Sequence, residues 1–135
     1  MSVSEKAGRT VLFRANVTDK AKIKYSEPVV FDIVKVNAGG CYDNTTGKFT
    51  TTVPGTYVFI ATVGSSDKTQ NVTAYITVDD TGYTIFRGSY MSTGSSSVLV
   101  QLGLGQRVWV TARSNADWYY PDELSFTGAL VQPQL

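Results

Sequence analysis

The sequence predicts an all-β protein built as a β-sandwich or jelly roll. Three observations favour this fold class. Apolar residues alternate with polar ones over short segments along nearly the whole chain, which is the period of a β-strand. Clusters of glycine, asparagine, aspartate and serine separate these segments and favour tight turns. No segment has a helical period of useful length, and many short strands joined by turns are typical of sandwiches and jelly rolls.

In the first half of the chain, the alternation predicts strands over 11–17, 31–37 and 57–63. Shorter strands are expected around residue 23 and over 48–51. The turn signals between them are "NAGG", "DNTTGK" and "VPG", whose glycines tolerate the backbone angles that tight turns need. The proline in the last of these signals fixes the approach to strand 57–63.

In the second half, strands are predicted over 72–78, 83–90, 97–102, 107–113 and 124–131. Turn residues precede them in the order "GSSDKTQ", "VDDTG", "STGSSS", "LGLGQ" and "SNADWYYPDE". The total is about ten strands. Gly128 lies inside the last strand, where a missing side chain is expected to permit the close approach of a backbone or an aromatic ring.

Strand 57–63 is unusual because both of its faces are apolar, whereas one face of a sandwich strand normally meets water. Tyr57 and Phe59 point one way, while Val58 and Ile60 point the other. One set fills the sandwich, and the other set needs a second cover. An exposed apolar strip on a small domain marks a subunit interface. We therefore predict an obligate oligomer, with these residues at the interface: Tyr57, Phe59, Ile60 and Trp109.

The composition is that of one globular domain and excludes several function classes. Twelve basic and eleven acidic residues give a formal net charge of +1, so nothing favours nucleic acid, which needs a basic face. We place a single domain over 11–135 after a flexible terminus over 1–10. No window is apolar enough for a membrane span. Cys41 is the single cysteine, so no disulfide can form within the chain.

Catalysis has little support in the sequence. The chain contains no histidine, which is the usual general base near neutral pH. No glycine-rich loop of the kind that cradles phosphates occurs. We predict that the protein is not an enzyme and requires no cofactor.

The loop over 113–124 is the candidate recognition surface, because loops at the end of a rigid sandwich commonly carry binding residues. Aromatic side chains stack on sugar rings, and Asn, Asp or Arg side chains bind hydroxyl or carboxylate groups. The fork of Arg113 suits the carboxylate of an acidic sugar such as sialic acid. The alternative is that the aromatic residues only pack the loop onto a neighbouring subunit. The candidate ligand-binding residues are Arg113, Asn115, Asp117, Trp118, Tyr119 and Tyr120.

Three motifs resemble, in order, the signature of the globular-head domain of complement C1q, a branch of the C1q and tumour necrosis factor superfamily. They are "PVVFDIVKVNAGGCYDNTTGKFTTTVPGTYVFIATV", "SSSVLVQLGLGQRVWV" and "SFTGALV". The resemblance spans about 11–131. Two positions depart from the family pattern, since Cys41 stands where a histidine is frequent and the frequent cysteine near Thr51 is absent. Cys41 is therefore expected to be an inert, partly buried thiol, with an intermolecular disulfide as the minor alternative.

The resemblance implies a jelly roll of about ten strands that packs as a tight trimer around a threefold axis. The chain looks like the stand-alone globular-head proteins of invertebrates such as molluscs, many of which are soluble pattern-recognition lectins. We predict a non-enzymatic, secreted homotrimer that binds carbohydrate or microbial surface patterns in innate immunity. One alternative is a protein ligand for a cell-surface receptor, like the tumour necrosis factor relatives. The other is a structural trimerisation head.

Two further expectations concern calcium and glycans. Some members of the resembled family bind calcium near the threefold axis, and Asp117 and Asp122 could supply oxygen ligands here. Three N-x-Thr sequons, at Asn16, Asn44 and Asn71, could carry glycans in a secreted protein. The start of the chain lacks the apolar stretch of a secretory signal, so either the protein stays inside its cell or a leader has been removed.

Overall fold

The computed structural model describes residues 10–17, 22–64, 72–88, 93–113, 116–117 and 124–134. Within these ranges the chain forms twelve β-strands and no helix. In chain order they are β1 (Leu12–Asn16), β2 (Lys22–Ile23), β3 (Ile33–Ala38), β4 (Tyr42–Asp43), β5 (Lys48–Thr50), β6 (Gly55–Gly64), β7 (Val72–Val78), β8 (Thr81–Gly88), β9 (Thr93–Leu102), β10 (Arg107–Ala112), β11 (Ala116–Asp117) and β12 (Ser125–Pro133).

Ten of these strands form two five-stranded sheets that face each other across the core. The first sheet has the order β3-β1-β12-β6-β9, and the second has the order β4-β5-β10-β7-β8. A separate short pair joins β11 to β2. All pairings are antiparallel, and several neighbours in each sheet come from distant parts of the chain. This arrangement is a jelly-roll sandwich, so the predicted fold class is confirmed.

All eight long strands predicted from the alternation are present. The largest difference is the start of β9, which begins at Thr93 because its serine-rich lead pairs with β6 instead of turning. Ser95 and Thr62 share a hydrogen bond at 2.8 Å between their hydroxyl oxygens, and Ser96 and Thr84 share one at 2.7 Å. The strands β4 and β11 were not predicted, since two residues carry no detectable period.

Aromatic rings fill the space between the sheets. Phe13 stacks on Tyr42, with ring centroids 4.6 Å apart, and contacts Phe49 at 5.6 Å and the edge of Phe126 at 5.0 Å. Phe59 closes the cluster against Phe49, with centroids 5.2 Å apart. Such aromatic pairs contribute about 0.5–1.5 kcal/mol each beyond the burial of their area. The rings of the cluster come from both sheets, so their contacts hold the two sheets together.

The single thiol also lies in this core. Cys41 is buried, as expected, and its sulfur lies 3.2 Å from the hydroxyl oxygen of Thr52. The neighbouring Tyr42 donates a hydrogen bond from its hydroxyl to the carbonyl of Phe31 at 2.6 Å, and burial raises the pKa of this phenol above its ordinary value. Polar groups at this end of the core are thus paired within the chain.

Tyr57 and Phe59 belong to the core, so their predicted place at a subunit interface is wrong. Within a single chain both side chains have 0% exposure. The hydroxyl of Tyr57 donates a hydrogen bond to the carbonyl of Val53 at 2.6 Å, and desolvation raises the pKa of Tyr57 to about 12. The alternation on β6 correctly places Tyr57 and Phe59 on one face and Val58 and Ile60 on the other. The aromatic set is the one that fills the sandwich.

Gly128 lies in β12 under two rings of the core, which confirms the close approach expected from its place in the strand. A Cβ at this position would lie 2.5 Å from Cε1 of Phe13 and 2.7 Å from Cδ1 of Phe59. Rings packed on several sides cannot yield that space without leaving their preferred rotamers.

We expect Gly128→Ala to lower the free energy of unfolding by about 1–3 kcal/mol, because it overpacks the aromatic core. Urea unfolding measures this change. Gly103→Ala is the matched control, since a Cβ there would meet only Oε1 of Gln106, at 3.7 Å. If the two variants are equally stable, the packing around Gly128 is not as described.

Candidate functional site

Most of the ligand-binding residues predicted from the sequence lie outside the described residues. These are Asn115, Trp118, Tyr119 and Tyr120, together with Asp122 of the predicted calcium site. Asp117 is described as part of β11, where its backbone pairs with Lys22 of β2. The binding and calcium roles of these residues therefore stay predictions. Arg113 follows β10 directly and is described and exposed.

The outer face of the first sheet carries a group of apolar residues, although the row that contains Ile60 also contains Arg14, Thr127 and Ser97. One row of paired residues crosses four strands, from Leu12 through Ala129 and Val58 to Leu99. The next row contains Ile60, which is 44% exposed, while Leu99 in the first row is 67% exposed. We call this surface the apolar face and define it by six residues: Leu12, Val36, Val58, Ile60, Leu99 and Ala129. It is the second face of β6 that needs a cover, and Ile60 stays the predicted interface residue.

The outer face of the second sheet has a different character. Along β10, Trp109, Thr111 and Arg113 point outward in succession, and β7 sets Thr77 beside Trp109 and Tyr75 beside Thr111. Together with neighbouring residues they line an open groove of about 520 Å³, a size within the usual range for ligand sites. We call this surface the cationic groove and define it by five residues: Lys48, Tyr75, Trp109, Thr111 and Arg113.

Backbone hydrogen bonds to β10 hold one wall of the groove in place. The segment 26–29 runs beside the second half of β10, where the amide of Ser26 donates to the carbonyl of Ala112 at 2.7 Å. The amide of Val29 donates to the carbonyl of Val110 at 2.8 Å in the same way. Pro28 forms an isolated bridge with Thr111 between these two contacts. The chain before β3 therefore extends the sheet and borders the groove.

The two cations of the groove are held against aromatic rings. The ammonium of Lys48 lies 4.4 Å from the ring centroid of Trp109. The guanidinium carbon of Arg113 lies 5.1 Å from the ring centroid of Tyr75 and 5.9 Å from that of Tyr25. Contacts of this kind contribute about 0.5–1 kcal/mol at exposed sites. They restrict long side chains that would otherwise move freely in solvent.

Hydroxyl groups lie on the groove floor between the two cations. Thr77 and Thr111 share a hydrogen bond at 2.7 Å between their hydroxyl oxygens. One of these hydroxyls donates to the other, so the pair keeps acceptor capacity and one O–H that can turn toward a ligand. Thr77 is buried, whereas Thr111 is half-buried at the groove surface.

Two nearby carboxylates already accept hydrogen bonds within the chain. The register of β4 and β5 places Asp43 opposite Lys48, but the Asp43 carboxylate accepts hydrogen bonds from the amide and hydroxyl of Thr45 at 2.8 Å and 2.6 Å. These bonds lower the pKa of Asp43. Asp79 likewise accepts from the Arg107 amide, at 3.0 Å. Asp80, which is exposed, is the acidic residue among those that line the groove.

Trp109 was predicted to lie at the subunit interface, and its position does not support that role. The residue lies on the second sheet, opposite the apolar face, and its own chain covers all but 7% of its surface. Little of the indole is left for contact with another subunit. We therefore assign Trp109 to the groove, where it supports Lys48.

Lys48 and Tyr75 were missed as candidate site residues in the sequence. A single lysine in a hairpin strand and a single outward tyrosine on β7 are ordinary by themselves. A signal was available for one side of the groove, because Trp109, Thr111 and Arg113 recur with the period of a strand. Lys48 and Tyr75 join the groove because β10 pairs with both β5 and β7. The alternation within a single strand does not reveal which strands pair.

Comparison with known proteins identifies the family. A family model described as the C1q domain matches residues 12–131. The chain belongs to the C1q domain family. Two human relatives, complement C1q and tumor necrosis factor-related proteins 9A and 9B, are each 30% identical over 128 residues that cover 88% of this chain. The chain corresponds to only 38% of the length of these relatives.

Solved structures agree with this C1q fold. The globular domain of zebrafish complement 1qA has a TM-score of 0.72 at 20% identity, and covers 93% of this chain and 100% of its own. The Eiger TNF from S. frugiperda has a TM-score of 0.74 at 11% identity, covering 93% and 95%. Murine APRIL at pH 5.0 has a TM-score of 0.71 at 10% identity, covering 91% and 100%. At these identities the likeness concerns the fold alone.

The family is typically one of non-enzymatic recognition and ligand domains, and no enzymatic family is indicated. Among the described residues, no helix is long and apolar enough to cross a membrane. The same residues contain no group of three or more His, Cys, Asp or Glu side chains placed to hold a metal.

The sequons differ in their accessibility. Asn16 is 3% exposed, and its amide donates a hydrogen bond to the carbonyl of Leu124 at 3.1 Å. Asn44 is exposed in the turn between β4 and β5. Asn71 lies outside the described residues. Since glycosylation requires an accessible asparagine, Asn44 is a better acceptor than Asn16.

We expect Asn44, and not Asn16, to carry a glycan when the chain passes through a eukaryotic secretory pathway. In an Asn71→Gln background, enzymatic deglycosylation should lower the mass by one glycan. Adding Asn44→Gln should abolish that mass shift, whereas adding Asn16→Gln should leave it unchanged. A shift that persists without Asn44 would contradict the accessibility of these two sites.

Proposed function

We propose that this C1q domain is a secreted, non-enzymatic homotrimeric recognition protein of innate immunity, which binds carbohydrate or microbial surface patterns. The observation that carries the proposal is the difference between the two outer faces of the sandwich. The first sheet presents the apolar face, and the second sheet presents cations, aromatic rings and hydroxyls. Assembly and recognition can therefore use opposite sides of one chain.

Assembly is supported by the extent of the apolar face. One row of the apolar face, Leu12, Ala129, Val58 and Leu99, continues across four neighbouring strands, and exposed apolar patches mark surfaces for protein contact. The family supports a threefold arrangement, because its globular heads are trimeric. A second copy of this chain is therefore the proposed cover for the apolar face.

Recognition by a trimer gains from repetition. A shallow, open surface site has few groups that can contact a sugar, so each site is expected to bind weakly. Three copies that engage one glycan-covered surface raise the effective concentration of the second and third binding events. The proposed ligand is therefore a repetitive surface rather than a single small molecule.

A glycan array tests the recognition part of the proposal. We expect the protein to bind glycans, and free sugar to inhibit that binding. Saturable binding to a cell-surface protein, with no glycan bound, would instead favour a receptor ligand like the tumour necrosis factor relatives. Absence of both would leave a structural trimerisation head.

We expect Ile60→Asp with Leu99→Asp to weaken assembly without unfolding the chain. Both side chains are exposed within one chain, at 44% and 67%, so the charges would not enter the core. In the proposed trimer they would be buried without partners, which is strongly unfavourable. Light scattering should give the mass of a single chain, while circular dichroism should retain the β signal.

The matched control for this prediction is Leu104→Asp. Leu104 is 74% exposed in the turn between β9 and β10, away from the apolar face. This variant should keep the assembly of the wild type. If the Ile60 and Leu99 double variant assembles as well as the control, the apolar face is not the contact surface.

A further inference from the structure

We propose that the cationic groove binds the carboxylate groups of an acidic oligosaccharide, with Lys48 and Arg113 as the two charge contacts. This inference rests on the proposed recognition function and assigns a ligand class and a site to it. The site differs from the 113–124 loop predicted from the sequence, because it lies on the face of the second sheet and shares only Arg113 with that loop.

Arg113 is held by contacts with aromatic rings, which leave its hydrogen-bond donors available. A guanidinium carries five N–H donors in its own plane, and an aromatic ring does not pair with these donors as a carboxylate would. Tyr75 and Tyr25 hold Arg113 through ring contacts. A carboxylate can therefore accept two parallel hydrogen bonds from the edge of Arg113 while the ring contacts persist.

Lys48 supplies the second charge at the other end of the groove. Its ammonium contacts the ring of Trp109 on one side, which leaves N–H donors on the other sides. The opposing Asp43 carboxylate accepts its hydrogen bonds from Thr45, within its own turn. Lys48 thus keeps N–H donors for an external anion.

The spacing of the two charges favours an oligosaccharide over a single sugar. Lys48 contacts Trp109 in β10, and Arg113, directly after β10, is four residues further along the chain, a separation of about 13 Å at the rise of a strand. More than one linked sugar ring fits along this length. Between the ends, Thr111 offers a hydroxyl and Tyr75 offers a half-buried ring, which suit sugar hydroxyls and the C–H face of a ring.

The groove is less suited to an acidic peptide. Extended peptides usually bind by adding a strand to a sheet edge, where backbone groups are unpaired. The floor of this groove is a sheet face, in which β10 is already paired with β7 on one side and with β5 on the other. Pro28 is the aliphatic residue among the described residues that line the groove, so pockets for apolar side chains are lacking there.

Calorimetry with tetragalacturonate tests the proposal, and its methyl ester serves as an uncharged probe of the same ring structure. We expect the wild-type protein to bind the acid, and to bind the ester at least about tenfold more weakly, since charge-assisted hydrogen bonds are lost. This comparison requires no variant, so it does not depend on how a mutant folds. Equal affinity for acid and ester would overturn the proposal.

Variants then locate the site. Lys48→Gln and Arg113→Gln should each weaken binding of tetragalacturonate about tenfold, with the mass and circular dichroism of the wild type. Arg87→Gln is the matched control, because Arg87 is exposed on the same sheet and does not line the groove. Wild-type affinity in both groove variants, or equal losses in all three, would overturn the assignment.

One outcome separates this inference from the proposed function. If the protein binds glycans on the array but not tetragalacturonate, recognition stands and the groove assignment fails. If neither is bound, both fail. Tighter binding of tetraglutamate than of tetragalacturonate would overturn the ligand class in favour of an acidic peptide.

Discussion

The packing of aromatic rings between the two sheets is the constraint on which the rest of the structure depends. Phe13 and Phe59 of the first sheet meet over Gly128, and Phe13 packs against Tyr42 and Phe49 of the second sheet, so these rings set the spacing of the sheets. Successive side chains of a strand point to opposite faces of the sheet, so the neighbours of each core residue along its strand point outward. The residues that do not enter the core therefore decide the character of the two outer faces, and these faces are the surfaces through which the domain can contact partners.

The two outer faces have different proposed roles, assembly for the first sheet and recognition for the second. Val58 and Ile60 on β6 and Leu99 on β9 point outward, and no part of the described chain covers Ile60 or Leu99. The outward residues of β10 and β7 combine charge, hydroxyls and rings, and the rings restrain the charges. A trimer that buries the first surface would present three copies of the second. This arrangement explains how one small sandwich could assemble and still keep a surface for recognition.

Much of the fold could be predicted from the sequence, because strand period and turn chemistry are local. The strand over 72–78 and the role of Gly128 are examples. The choice of face on β6 could not be predicted, since Tyr57 and Ile60 are both apolar and only the partner sheet decides which is buried. The groove could not be predicted either, because Lys48 and Trp109 become neighbours through the pairing of β5 with β10. The two-residue strands β4 and β11 were too short to leave a pattern.

The most direct test of the account is the mass of the purified wild-type protein in solution, measured by light scattering over a range of concentrations. The account predicts three times the mass of one chain, because the apolar face needs copies of the same chain to cover it. A monodisperse particle with the mass of one chain would contradict it. The apolar face would then be stable in water by itself, and the proposed division between an assembly face and a recognition face would lose its basis.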